Sequence, residues 1–507
     1  MFTSVKSMGL FGMHSYMVHV EIDVSGGLPH FDIVGLPNTS VSEAKERVRS
    51  AIKNSGLTFP VSRITVNLAP ADTKKEGTVY DLPMLIAVLC ASRQIKNIPE
   101  TCAFIGELSL GGELRKVNGA LPMVIEARNN GITDVFVPTE NAYECSVVSD
   151  INVYPVENVK QIVSFLEGSE SISPAVYVPK EEEIDSLLDF ADVKGQFEAK
   201  RAIEIAAAGG HNILLIGPPG SGKSMLAKRI PTILPDMTFE ESLETTKIYS
   251  ISGKLPKGMP LITSRPFRSP HHTVSPVGLS GGGAIPKPGE ISLAHNGVLF
   301  LDELPEFSRT TMEIMRQPIE DGAISISRAQ ATVSYPCSVM LVCAMNPCPC
   351  GYYGHPTREC TCVRGSAERY LSKISGPLLD RIDIHIEVPP VDFESLSDEE
   401  KGEKSADIKK RINKARKIQQ ERLKGTGITC NARMTASQTR EFCKLTDDAK
   451  DMLKVVFDKL SLSARAYDKI LRVARTIADL EESDVVNDEH IAEAVQYRSL
   501  DRKFWGK

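Results

Sequence analysis

The chain has 507 residues, of which 42% are hydrophobic and 24% are charged, and its formal net charge is −6. A chain of this length predicts about three domains. The negative net charge argues against a globally basic coat for nucleic acid. The longest apolar run, residues 82–90, is too short to span a bilayer, and the chain does not open with a basic segment followed by an apolar one. We therefore expect a cytoplasmic protein with no membrane partner.

The first predicted domain covers residues 1–165. Its apolar pattern alternates strands such as 18–24 and 64–68 with helices such as 42–55, which is typical of an α/β domain. Residues 166–186 are rich in Ser, Pro and acidic side chains, and we expect a linker there.

Two segments of the first domain, residues 106–112 and 127–140, resemble the Lon-type protease fold. Proteolysis by that fold requires a serine nucleophile activated by a lysine. The resemblance places Val79 at the serine position and Leu121 at the lysine position, and neither apolar side chain can do this chemistry. We expect a Lon-like domain without protease activity, used for ring stacking or binding.

The second predicted domain, residues 187–390, opens with a phosphate-binding loop. An apolar run, residues 212–216, precedes a G-x4-G-K-S sequence, and an apolar-periodic stretch follows it. Glycines let backbone N–H groups converge on an anion, and the helix N-terminus adds partial positive charge. Lys223 is expected to bridge the β- and γ-phosphates of a nucleoside triphosphate, and Ser224 to hold Mg²⁺. The predicted nucleotide-binding residues of this loop are Gly217, Pro218, Pro219, Gly220, Ser221, Gly222, Lys223 and Ser224.

Hydrolysis also needs a carboxylate for the metal and a group that activates water. The apolar segment 297–301 ends in Asp302, expected to bind Mg²⁺, and Glu303, expected to polarise the attacking water. Phosphoryl transfer further uses a polar residue at another strand end and a cationic side chain. Asn346 follows a second apolar strand, and Arg381 precedes a third.

These motifs together resemble the AAA+ ATPases, within them the magnesium-chelatase and MCM-like branch. The resemblance implies that Asn346 orients water, that Arg381 is an arginine finger reaching a neighbouring subunit's γ-phosphate, and that Arg465 is the nucleotide-sensing arginine of a helical lid. The alternatives are a capping asparagine and two arginines in structural salt bridges. If Arg381 acts on a neighbour, the active form is a ring or an open spiral.

Acid-free segments point to a polyanionic partner. Residues 245–289 and 322–358 contain no Asp or Glu, and the second segment contains an alternating stretch, 323–333, that predicts a hairpin. An insertion at 254–288 is expected to have a flexible tip at 281–283. In the MCM-type rings that the chain resembles, such hairpins line the pore, and positive loops suit a nucleic-acid backbone. Solvated loops are the alternative. The predicted nucleic-acid contacts are Lys254, Arg265, Arg268 and Arg328.

Four of the 11 cysteines form two C-x-C pairs in the loop 348–362. In a cytosolic protein this pattern indicates metal binding rather than disulfides, and four thiolates can close a structural Zn²⁺ site. Free thiols or a redox pair are the alternatives, and His355 could replace one ligand. Cys343 is expected to lie in the core. The candidate zinc ligands are Cys348, Cys350, Cys360 and Cys362.

The third predicted domain, residues 391–507, is helical. Residues 404–424 carry nine Lys or Arg, most simply a solvated helix face and alternatively a nucleic-acid contact. Apolar stripes at 452–460 and 470–477 recur at helical spacing and predict core packing. Asn487 is a candidate cap for the last helix.

The order of parts resembles the ComM/YifB family of magnesium-chelatase-like ATPases over essentially the whole chain. The expected fold class is α/β, with a Lon-like N-terminal domain, a P-loop AAA+ domain and a C-terminal helical lid. The resemblance implies an ATP- and Mg²⁺-dependent hexameric DNA motor, a branch-migration helicase used in recombination and natural transformation. The rival classes are a magnesium-chelatase motor subunit and a protein-remodelling ATPase.

Overall fold

The computed structural model describes residues 1–96, 98–179, 188–283, 286–328, 331–355, 357–390, 402–460 and 462–505. The chain forms two compact units that are interleaved in sequence. The first contains residues 1–181, 239–262 and 326–335, and the second contains residues 182–238, 263–325 and 336–507. Parts of the predicted linker and of the predicted lid, residues 180–186 and 391–401, lie outside the described residues.

The first unit is built on a mixed seven-stranded sheet with the order β3-β4-β2-β1-β5-β8-β9. In β4, buried and partly exposed side chains alternate, because successive residues of a strand point to opposite faces. A two-stranded sheet, β6-β7, lies outside the main sheet. The strands are β1 (Phe2–Phe11), β2 (His14–Ser25), β3 (His30–Val34), β4 (Arg63–Ala69), β5 (Cys102–Phe104), β6 (Glu107–Leu108), β7 (Leu114–Arg115), β8 (Asp134–Pro138) and β9 (Asn152–Val156).

Helices cover the sheet of the first unit. Every residue of the helix Asp81–Ala91 is buried, which explains why the longest apolar run of the chain lies there. No helix among the described residues is both long enough and apolar enough to cross a membrane. Val79 and Leu121, which the resemblance assigns to the Lon-type catalytic positions, are both buried. The helices of this unit are Thr39–Ser42, Ala44–Asn54, Asp81–Ala91, Ala120–Asn129, Thr139–Cys145, Val159–Glu167 and Phe239–Ser252.

The second unit contains a five-stranded sheet with the order β11-β14-β17-β10-β18, in which every pairing is parallel. Because the strands are parallel, their carboxyl ends share one edge, where ligands bind in open α/β sheets. The segments β15 and β16 form the predicted hairpin as a separate two-stranded sheet, most of which belongs to the first unit. The remaining strands of the chain are β10 (Ile213–Ile216), β11 (Phe267–Arg268), β12 (Gly281–Gly282), β13 (Lys287–Pro288), β14 (Val298–Leu301), β15 (Ala323–Arg328), β16 (Ala331–Pro336), β17 (Met340–Met345) and β18 (Ile384–Glu387).

Many helices complete the second unit. The predicted cap is confirmed: the Asn487 side chain accepts a hydrogen bond from the N–H of His490. The helices are Phe197–Gly209, Lys223–Arg229, Pro276–Ser280, Glu290–Leu293, Arg309–Ile314, Arg316–Asp321, Ser366–Leu371, Gly376–Leu379, Ser405–Arg422, Ala436–Phe442, Asp447–Leu460, Ala464–Leu480, Asp488–Gln496 and Leu500–Trp505, and the short 3-10 turns are Phe190–Asp192, Ile230–Thr232, Leu304–Glu306 and Asn431–Arg433.

One packing expectation was wrong in part. The stripe at 452–460 is only partly core, since Phe457 is 38% exposed and its ring contacts Tyr467 edge-on. At the expected tip of the insertion, Gly281 and Gly282 pair with Lys287 and Pro288 as an antiparallel ladder. The stripe at 470–477 is confirmed as core.

Candidate nucleotide site and cysteine cluster

The phosphate loop lies between β10 and the helix Lys223–Arg229, as the sequence predicted. β10 is flanked by β17 and β18, so the loop emerges from an inner strand of the parallel sheet, next to the edge strand β18. The N–H of Gly217 donates to the carbonyl of Met345 at 3.2 Å, which ties the start of the loop to the end of β17. Gly222 has φ of +86°, a left-handed conformation that favours glycine, immediately before the helix.

Lys223 is held by the loop that it follows. Its ammonium donates to the carbonyl oxygens of Gly217 at 2.7 Å and Pro218 at 2.8 Å, and to the side-chain oxygen of Asn346 at 3.1 Å. Burial lowers the pKa of Lys223 to about 8, although the negative charge of Asp302 acts in the opposite direction. With the hydroxyl of Ser221 at 3.4 Å, the buried ammonium has four oxygen contacts, and it is suited to exchange them for phosphate oxygens.

Ser224 and Asp302 meet at the same edge of the sheet. The hydroxyl of Ser224 donates to a carboxylate oxygen of Asp302 at 2.6 Å, although the two residues lie on different strand-loop connections. Hydroxyl and carboxylate oxygens are the ligands that Mg²⁺ takes from proteins, so the pair fits a Mg²⁺ ion bound together with phosphates. The backbone N–H of Glu303 donates to the other oxygen of Asp302 at 3.0 Å and fixes the carboxylate.

The carboxylate of Glu303 has a partner that the sequence analysis did not single out. Nδ1 of His272 lies 3.5 Å from Oε2 of Glu303, and the ring of His272 contacts the rings of His271 and Phe307. Adjacent histidines in the acid-free segment were the available signal, but spacing in sequence does not reveal which carboxylate they face. The contact gives the proposed water-activating group a defined orientation.

Comparison with known families accounts for nearly the whole chain. The profile described as magnesium chelatase, subunit ChlI, matches residues 189–396, that of subunit ChlI of Mg-chelatase matches 20–141, and that of the ChlI C-terminal part matches 402–498. Competence protein ComM of Haemophilus influenzae and the uncharacterized protein YifB of Salmonella typhimurium are each 44% identical to this chain, over 98% of it and 97% of their own length. The chain belongs to the ComM/YifB family of magnesium-chelatase-like AAA+ ATPases.

Two further proteins match only part of this chain, and at lower identity. Lon protease of Brucella suis is 25% identical over 29% of the chain, so the likeness to Lon is partial. DNA repair protein RadA of Streptococcus pneumoniae is 28% identical over 18% of the chain.

Two arginines with predicted roles, Arg381 and Arg465, line one cleft of about 450 Å³. None of the described residues of the loop 217–224 lines it. Arg381 donates to the carbonyl oxygens of Arg316 at 2.9 Å and Pro377 at 2.8 Å and forms an ion pair with Glu320. The cationic side chains of the cleft are Arg381, Arg433, Arg465, Lys469 and Arg472, and its acidic ones are Glu320, Asp380, Asp383 and Asp468.

The four predicted cysteine ligands come together. Their sulfur atoms all lie within 4.8 Å of one another. His355 does not belong to the group, since its Nδ1 accepts the N–H of Thr357 at 3.2 Å and of Arg358 at 3.0 Å. Cys343 is buried in β17 as expected, and burial raises the pKa of its thiol.

The predicted nucleic-acid residues have different surroundings. Arg265 donates to the backbone carbonyls of Pro235, Asn296 and Asp236 at 2.6, 2.7 and 3.2 Å. Arg268 forms a bidentate ion pair with Glu290 at 2.6 and 2.8 Å. Lys254 is exposed. The side chain of Arg328, and the hairpin turn at 329–330, lie outside the described residues.

Proposed function

We propose that this protein is an ATP-hydrolysing motor that acts on DNA as a hexameric ring.

 The ring would contain six copies of the chain, and each bound ATP would be split between two neighbouring copies. The observation that carries this proposal is the convergence of Lys223, Ser224, Asp302 and Asn346 within hydrogen-bonding distance at one edge of a parallel sheet. That arrangement supplies a phosphate cradle, metal-binding oxygens and a polar group for water at one place.

The roles of the individual residues follow from their chemistry. The backbone of the loop 217–222 and the ammonium of Lys223 would bind the phosphates, and Ser224 with Asp302 would hold Mg²⁺. When bound, Mg²⁺ neutralises charge on the β- and γ-phosphates. Glu303, oriented by its neighbours, would take the proton of the attacking water, and Asn346 would orient that water.

The proposal of a ring is supported by the position of two arginines. Arg381 and Arg465 line one cleft, and no residue of the phosphate loop, 217–224, lines that cleft. An arginine in that place is suited to a triphosphate on another copy of the chain, since a guanidinium binds phosphate oxygens bidentately. We propose that Arg381 is the finger and that Arg465 senses the same nucleotide.

The DNA part of the proposal is supported by the acid-free segments and by the names of two relatives, a competence protein and a DNA repair protein. Branch migration of single-stranded or branched DNA in the cytoplasm, in recombination and natural transformation, is the activity we propose. Lys254, which is exposed, and the hairpin containing Arg328 are the contacts that we propose first. Cys348, Cys350, Cys360 and Cys362 would hold structural Zn²⁺.

The test is the rate of ATP hydrolysis with single-stranded DNA, branched DNA or an unfolded protein added, together with the mass of the complex in solution. We expect DNA to stimulate hydrolysis and ATP to promote ring formation. Stimulation by unfolded protein alone would favour a remodelling ATPase. Copurification with chelatase partner subunits, without a response to DNA, would favour a chelatase motor.

A further inference from the structure

The cysteine loop, residues 348–362, begins directly beside the nucleotide site. β17 ends at Met345, Asn346 follows, and Cys348 is only two residues farther along the chain. Cys348 is buried, and Asn346 accepts the hydrogen bond from Lys223. A single residue, Pro347, therefore separates Cys348 from the side chain that accepts the hydrogen bond of Lys223.

The four sulfur atoms are already spaced as ligands of one ion. The distances are 3.4 Å between Cys348 and Cys350, 3.7 Å between Cys348 and Cys360, and 3.5 Å between Cys350 and Cys360. Sulfur atoms at the corners of a tetrahedron around Zn²⁺ lie about 3.8 Å apart, given a Zn–S bond of about 2.3 Å. Backbone N–H groups also point at the sulfurs, from Tyr353 to Cys348 at 3.3 Å and from Cys350 to Cys362 at 3.4 Å.

The cysteine loop also packs directly against the phosphate loop. Gly351 is buried with φ of +85°, and a Cβ atom placed on it would lie only 2.3 Å from Cδ of Pro219. Pro219 belongs to the phosphate loop, so the backbone of the cysteine loop at Gly351 is in close contact with the phosphate loop. Only glycine permits this approach.

We propose that Zn²⁺ bound by the four thiolates fixes the phosphate loop and Asn346 in the geometry that binds ATP, so that the metal site is a positioning element of the ATPase. The inference rests on the proposed function, because it assigns the metal a role in ATP binding. Structural Zn²⁺ commonly supplies the folding free energy of a loop that has little core of its own.

The first test removes the two zinc ligands that lie farther from Asn346 in the sequence. In the full-length protein, Cys360→Ser with Cys362→Ser should abolish bound zinc, measured by elemental mass spectrometry, and raise the dissociation constant for a fluorescent ATP analogue at least about tenfold. Glu359→Ala, a change of an exposed side chain between the two cysteine pairs, is the matched control and should retain zinc and affinity. Circular dichroism reports whether the double variant keeps its fold.

The second test leaves the ligands in place. Gly351→Ala and Gly354→Ala both put a side chain on a left-handed residue, but Gly354 is exposed whereas Gly351 faces Pro219. Both variants should retain zinc, and Gly351→Ala alone should weaken ATP binding several-fold. This comparison decides the question even if the double cysteine variant fails to fold.

The results separate the inference from the proposed function. Wild-type protein that holds zinc and binds ATP, but binds it equally well after zinc removal and in Gly351→Ala, overturns the inference and leaves the ATPase proposal standing. Purified wild-type protein without zinc also overturns it. Failure of the zinc-loaded wild type to bind ATP would instead overturn the proposed function.

Discussion

Nζ of Lys223 lies 3.1 Å from the side-chain oxygen of Asn346, and this hydrogen bond joins the phosphate loop after β10 to the end of β17. The two strands are direct neighbours in the sheet, with Ile216 opposite Met345, which is why residues 123 positions apart in sequence meet. The position of the lysine therefore depends on a side chain outside its own loop.

Replacing Asn346 should separate nucleotide binding from turnover. Asn346→Ala removes a polar group from the place where water is activated, and loss of one such preorganised group lowers turnover by about 10² to 10³. The other oxygen partners of Lys223 remain, so the affinity for ATP should change much less. Single-turnover hydrolysis and equilibrium binding of an ATP analogue measure the two quantities. Turnover within a factor of two of the wild type would contradict the assigned role.

The depressed pKa of Lys223 makes ATP binding pH-dependent. Burial lowers this pKa to about 8 in the protein without nucleotide, and bound phosphates raise it because they stabilise the ammonium form. The contribution of its charge to binding is thus complete below pH 8 and is lost as the pH rises above 8. Affinity should fall by up to about tenfold per pH unit in that range.

Titration calorimetry between pH 7 and 9.5 measures this dependence. The control is Lys223→Arg, in which the side chain stays charged throughout, so its affinity should be lower but nearly constant with pH. A wild-type affinity that does not change between pH 8 and 9.5 would show that the ammonium is not the phosphate contact.

Local patterns in the sequence predicted the parts of the site but not its pairings. The strand before the phosphate loop, the hairpin at 323–333 and the cap at Asn487 are each determined by residues close together in the chain, and the structure contains all of them. The contact of His272 with Glu303 depends on the order of the strands. The same holds for the ion pair of Arg268 with Glu290, because spacing in sequence does not show which carboxylate an arginine meets.

Glu303→Gln should bind ATP normally and lose turnover. The amide has the shape of the carboxylate but cannot accept the proton of water, and general-base catalysis contributes about 10² to 10⁴ in rate. Glu306→Gln is the matched control, since Glu306 lies three residues farther and is exposed, where it pairs with Lys373. Steady-state hydrolysis and ATP-analogue binding should distinguish the two variants. Equal turnover in both would assign water activation to a different group.

Arg381→Ala tests whether neighbouring copies share a site. Alone, this variant should bind ATP and lose turnover by about 10³ or more, the effect of removing an arginine finger. Mixed with the equally inactive Lys223→Ala, it should regain partial activity, because the second variant supplies an intact Arg381 to the phosphate loop of the first. Glu320→Gln removes the ion pair of Arg381 within its own chain and serves as the control, which should stay active. If mixing restores nothing although native mass spectrometry shows mixed assemblies, Arg381 acts within its own chain or only as a structural ion pair.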